Sequence, residues 1–214
     1  MNHPSTLVAP RLREVVEPAG VSRALIELYE RFGSAESHDL PMSHTEHALQ
    51  CGAHAMASRA GETMIAAAFL HDVGHLLALE AAAGSRGMGG SGGGTHEEVG
   101  GRFLATWFND PVVYPVRLHA VAKRFLCAVD VDYRRSLSPP AANELAALGG
   151  PMGEQQVADF RTIPHLDAAL ALTRWDDNAR VPGAPVPTLR VFEQLLENVL
   201  ENQPSRQYGA RARR

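Results

Sequence analysis

The chain has 214 residues, enough for one domain with a substantial core. Hydrophobic residues make up 45% and charged residues 21%, values ordinary for a globular chain and unlike those of a collagenous or disordered one. The formal net charge of -4 gives no general attraction to nucleic acid. Cys51 and Cys127, the only cysteines, are too few for a disulfide scaffold and read as small buried apolar residues. The first residues lack a charged region followed by an apolar core, and no apolar run reaches membrane-spanning length. The expectation is a cytoplasmic protein with neither a nucleic-acid nor a membrane partner.

Helical periodicity begins at 21–32, where Leu25, Ile26, Leu28, Tyr29 and Phe32 share a face, with Gly33 as a stop. A polar loop containing Pro41 leads to Ser43-His44-Thr45-Glu46, a capping-box pattern opening a helix over 44–59. After Gly61, an Ala-rich helix over 62–79 carries His71, Asp72 and His75. Residues 84–94 are mostly glycine and read as a mobile surface loop, because glycine loses the most backbone entropy on ordering. Thr95-His96-Glu97-Glu98 repeats the capping-box pattern ahead of a helix to about 108, and Pro111 or Pro115 opens the next, to about 127. Shorter helices are expected over 130–135, 139–148, 154–160, 164–180 and 188–200. With no alternating strand pattern, the fold class is all-α: a short extension at 1–20, a single domain at 21–202, and a basic tail at 203–214.

The informative feature is His71-Asp72, which closes an apolar run. A carboxylate can bridge two metals, whereas the neighbouring imidazole binds one. His47 lies among Ala48, Leu49 and Cys51, His96 sits in a first helical turn, His119 lies between Leu118 and Ala120, and Asp176 follows Trp175. Burying six such groups costs several kcal/mol unless they are paired or metal-bound, and one shared site explains them together. Asp177 competes with Asp176 as ligand; neighbours on a helix point about 100° apart, so one of them faces the site. Four imidazoles and two carboxylates suit two borderline ions such as iron, with zinc or manganese as alternatives. His54, two turns after His47, and His3, His38, His44 and His165 carry no pattern that joins them to this set.

A separate His, an adjacent His-Asp and a distant Asp resemble the HD-domain superfamily, and therefore an HD-type helical bundle. The longer stretches Glu46-His47-Ala48-Leu49-Gln50-Cys51, His71-Asp72-Val73-Gly74-His75, His96-Glu97-Glu98-Val99-Gly100, Arg117 to Cys127 around His119 and Lys123, Gly149-Gly150-Pro151-Met152 and Arg174-Trp175-Asp176-Asp177 resemble the mixed-valent diiron oxygenases of organophosphonate catabolism. That resemblance implies one iron on His47, His71, Asp72 and Asp176, and a second on the bridging Asp72 with His96 and His119. It implies an Fe(II)/Fe(III) pair, O2 as co-substrate, His71 and Asp72 at the centre of catalysis, and cleavage of the carbon-phosphorus bond of a small 1-hydroxyphosphonate to give phosphate and a carboxylic acid. His75 and Lys123, each one turn beyond a ligand, suit a phosphonate dianion, and Ser138 and Arg174 are further anion contacts of the family type.

The chain departs from relatives acting on aminated hydroxyphosphonates. Where they carry a Tyr that shields one iron and a Glu that recognises the cation, counting back from His47 gives Ser37 and Leu40. Serine cannot reach a metal as tyrosine does, and leucine cannot pair with ammonium, so a substrate without the cation is expected. The competing reading is an HD-type metal-dependent phosphohydrolase, in which bridged metals activate water against a phosphate ester. A non-catalytic metal-bound sensor is a third, disfavoured by a complete ligand set.

Overall fold

The computed structural model describes residues 15, 17–35, 42–84 and 94–204. They form a bundle of helices with no strand among the described residues: α1 Pro18–Phe32, α2 His44–Ala57, α3 Glu62–Leu70, α4 Val73–Gly84, α5 His96–Leu104, α6 Asp110–Val129, α7 Val131–Ser136, α8 Pro139–Ala147, α9 Glu154–Phe160, α10 Leu166–Asn178 and α11 Leu189–Asn202. The expected all-α class is observed. Ser37, Leu40, nearly all of the glycine-rich loop and most of the basic tail lie outside the described residues.

The long helix α6 is the spine, lying against α3, α5, α7, α9 and α10, while α2 packs on both α3 and α10. The main core gathers Leu25, Leu28, Phe69, Leu70, Phe108, Leu172, Phe192 and Leu196, all essentially inaccessible to solvent. Phe69 stacks on Phe192 at 4.4 Å between ring centroids. Gly33 ends α1 as expected, but its φ of -75° is right-handed. Glycine is needed there for space, because a Cβ would meet Thr45 Oγ1 at 2.0 Å.

The single helix expected over 62–79 is instead two, α3 and α4, meeting at a 40° bend with His71 and Asp72 in the break. Carbonyls at the end of a helix lose their i+4 partners and need others. Here Tyr29 donates its hydroxyl to the Phe69 carbonyl at 2.8 Å, and the His71 ring Nδ1 sits 2.8 Å from the Ala68 carbonyl. No single described helix is long and apolar enough to cross a membrane; α3 and α4 together reach that length and hydropathy. The bend and the burial of Ile65, Ala66, Ala67, Ala68, Phe69, Leu70, Val73 and Leu76 account for them as core helices.

Two capping expectations come out differently. Ser43 accepts the Glu46 N–H at 3.1 Å, but the Glu46 carboxylate turns away to the Gly183 N–H at 2.5 Å, so only half a capping box forms. Thr95 precedes α5 without a side-chain cap.

Candidate metal centre

Five places along the chain supply one constellation: His47 from α2, His71 and Asp72 from the α3–α4 break, His96 from the first turn of α5, His119 from α6 and Asp176 from the last turn of α10. They fall into two groups, His47 with His71 and Asp176, and Asp72 with His96 and His119, each offering ligand atoms within 4.8 Å of one another. Asp72 joins the groups through different oxygens. Its Oδ2 lies 3.6 Å from His47 Nε2 and 3.4 Å from His71 Nε2, whereas its Oδ1 lies 3.3 Å from His96 Nε2 and 3.9 Å from His119 Nε2. Asp176 Oδ1 is 3.1 Å from His47 Nε2 and 3.8 Å from His71 Nε2.

Local structure fixes the direction of each lone pair. The Nδ1 atoms of His47, His71 and His119 lie 2.8, 2.8 and 2.7 Å from the carbonyls of Ala179, Ala68 and Val116. A carbonyl only accepts, so each Nδ1 carries a proton and each Nε2 points to the interior, where the neutral ring offers a lone pair. This is how a protein orients histidine ligands of a metal. Two further observations fit a donor set suited to a cation. His71 Nε2 is buried without a hydrogen-bond partner among the described residues, and His96 Nε2 approaches His119 Nε2 to 3.1 Å.

Gly74 sets the approach of α5. A Cβ there would stand 2.0 Å from the His96 carbonyl oxygen, so α4 and α5 touch backbone to backbone immediately beside Asp72.

Charge at the centre is balanced by buried cations. Burial opposes ionisation of Asp176, but Lys123, the bond to His47 and Arg180 outweigh it and hold its carboxyl well below the usual range. Burial also opposes the charge of Asp72, and the surrounding imidazoles reverse this. Burial pushes His71 down, and His119 and His75 down to about 4, whereas in His47 the bond to Asp176 overcomes burial and raises the pKa. The two neighbouring aspartates divide as the helix geometry requires. Asp176 faces the imidazoles, while Asp177 accepts from Tyr133 and from Lys123 at 2.9 Å, and burial together with Asp176 raises its pKa.

Lys123 is fully buried and paired with Glu144, Asp177 and, at 3.8 Å, Asp176. Arg180 Nη2 reaches the same three carboxylates at 3.4 to 3.5 Å. Above this lies a cavity of about 340 Å³, lined by His75, Asp72, His96, Glu144, Leu148 and Arg180 among others. His75 stands at its wall with its ring between His44, 5.3 Å away, and His96, 4.2 Å away. Lys123 sits beneath Glu144 and is not among the cavity's described lining.

The structure does not bring Ser138 or Arg174 to the cavity. Ser138 caps α8 by accepting the Ala141 N–H at 3.4 Å, and Arg174 pairs with Asp130 at 2.7 Å and lies over the Tyr133 ring. Sequence reasoning missed Glu144, Arg180 and the His44 stack. Arg180 lies one helical turn beyond Asp176, the spacing that singled out Lys123 after His119, and His44 lies three residues before His47; Glu144 carried no such signal. His54, outside the constellation as expected, lies with Nε2 3.2 Å from the Asn178 carbonyl.

Fold and site together define an all-α bundle whose interior holds two His/Asp groups that could each hold a metal ion, joined through one carboxylate. No protein-family model matches the chain. It is 36% identical over 179 residues to hydroxymethylphosphonate dioxygenase of Gimesia maris, covering 84% of the chain and 88% of that protein. It is 29% identical over 174 residues to the glycine-betaine-forming 1-hydroxy-2-(trimethylamino)ethylphosphonate dioxygenase of Leisingera caerulea, covering 81% of the chain and 87% of the relative. The chain belongs to the phosphonate dioxygenase family, the family its motifs resemble.

Proposed function

We propose that this protein is an O2-dependent dioxygenase that cleaves the carbon-phosphorus bond of a small 1-hydroxyphosphonate at a centre of two iron ions. The observation that carries the reading is Asp72, whose oxygens address separate groups of imidazoles in a chain of this family. His47, His71, Asp72 and Asp176 would hold one ion, and Asp72, His96 and His119 the other. When bound, such a pair supplies a Lewis acid for the substrate's oxygens and electrons for O2.

The chain's own residues prepare that chemistry. The three Nδ1–H···O=C bonds hold imidazole lone pairs inward, and Lys123 and Arg180 keep Asp176 ionised. His75, neutral with its pKa near 4, faces the cavity as a hydrogen-bonding wall for the substrate. Ala147 and Leu148 add apolar lining to the cavity. Hydroxymethylphosphonate is the substrate we favour. With one O2 it gives formate and phosphate, both oxygen atoms entering the products, with atoms and charge in balance.

Anaerobic purification followed by metal analysis and EPR tests this reading, with hydroxymethylphosphonate then added under O2. The expected result is two irons per chain, a coupled mixed-valent signal perturbed by the phosphonate, and phosphate release that requires O2. Tight zinc or manganese with O2-independent hydrolysis of phosphoesters would instead identify a phosphohydrolase.

A further inference from the structure

Building on the phosphonate reading, we propose that Arg180 binds the substrate's phosphonate group, and that the Glu144 carboxylate occupies this anion position until the substrate displaces it. Arg180 lines the cavity with its side chain only 12% exposed, yet it uses its donors poorly. A guanidinium offers five N–H donors in a planar fork suited to two oxygens of one anion. Here a single nitrogen, Nη2, serves Glu144, Asp176 and Asp177 at 3.4 to 3.5 Å, and Nε is buried without a hydrogen-bond partner among the described residues. Such a fork is unsatisfied by its present neighbours.

Glu144 is the neighbour able to leave. Asp176 and Asp177 are held on α10 by His47, Lys123 and Tyr133. Glu144 projects from α8, a helix of nine residues that buries only Ala141 and Leu145. Gly149 and Gly150 follow it with φ of 93° and 74°, left-handed values suited to glycine. One oxygen of Glu144, Oε2, lies against both Lys123 Nζ and Arg180 Nη2 at the cavity wall. Two cations converging on one acidic oxygen make an anion site already filled by the chain. A phosphonate entering there would take over both cations, on the side of the cavity where Arg180 also reaches Asp176, the carboxylate paired with His47.

The test is calorimetric binding of hydroxymethylphosphonate to the metal-loaded protein under anaerobic conditions, where no turnover occurs, with metal content measured in parallel. Glu144→Gln keeps the shape of the side chain and every metal ligand but removes the competing charge. It is expected to tighten binding on the order of tenfold, since apparent affinity scales with the fraction of protein whose site is free. Arg180→Gln is expected to weaken binding by about tenfold or more, and Arg180→Lys by less, because a point charge replaces a fork. Unchanged or weaker binding by Glu144→Gln, with metal retained, overturns the proposal, as does wild-type affinity in Arg180→Gln. Failure of the phosphonate reading is distinct: the wild-type protein itself would then neither bind the phosphonate nor release phosphate under O2.

Discussion

Replacing Asp72 with Asn separates the two metal groups without changing the size of the side chain. The amide keeps one acceptor oxygen where the carboxylate had two, and it loses the charge. The group of His47, His71 and Asp176 retains three ligands, whereas that of His96 and His119 is left with two. Losing even an outer partner of a ligand costs 10- to 100-fold in metal affinity, so loss of the shared carboxylate should cost the second group at least about 100-fold, or roughly 2.7 kcal/mol. The fold should survive, because Asp72 lies in the break between α3 and α4 and the core closes around Phe69, Leu70 and Val73. Metal analysis of Asp72→Asn should therefore give close to one ion per chain, with a native-like circular dichroism spectrum and no O2-dependent phosphate release. Retention of two ions per chain would refute the bridging role.

Three further outcomes follow from the same geometry. Gly74→Ala drives a methyl group into the His96 carbonyl and should destabilise the protein by roughly 2 to 3 kcal/mol, a fall in Tm on the order of 5 to 10 °C, with metal lost preferentially from the His96 group. Lys123→Met strips a buried cation from Asp176, Asp177 and Glu144, and denaturant unfolding should show a loss of about 3 to 5 kcal/mol together with weaker metal binding at neutral pH. The metal-free protein should lose stability on acidification. The His119 pKa is about 4 in the folded chain against an ordinary 6.5, so below pH 6.5 the unfolded chain binds the extra proton, and roughly 3 kcal/mol is lost as pH falls from 6.5 to 4. Urea titrations across that window check the sign; a flat profile would contradict it.

The helices were legible because their apolar faces repeat at helical spacing; Leu25, Ile26, Leu28 and Tyr29 all lie in the core they mark. The break at His71-Asp72 was not. The spacing in the Ala-rich run continues across it, and one of the two groups that hold the break, Tyr29, lies forty residues before the carbonyl it meets. The six residues that gather in the two His/Asp groups were readable from their types and apolar surroundings. Their division into two groups came from the family resemblance and not from local spacing, since Asp72 faces both groups only where the chain bends. Ser138 and Arg174 show the limit of motif matching: a serine before Pro-Pro is a helix cap by local chemistry, and an arginine on the exposed side of α10 pairs with Asp130. Glu144 was invisible because its role depends on α8 lying over Lys123, a contact between helices that no local spacing encodes.

The placement of the ligands has a mechanical meaning as well. Residues 47, 71–72, 96, 119 and 176 are five separate places in the chain, and any ion held among them would tie its helices to the α3–α4 bend, as a cross-link would. Closing long loops restricts the unfolded chain, and an ion that binds only the folded form adds stability by mass action. The centre would then govern the protein's lifetime along with its chemistry: a chelator should speed unfolding, and an ion matching these ligands should slow it.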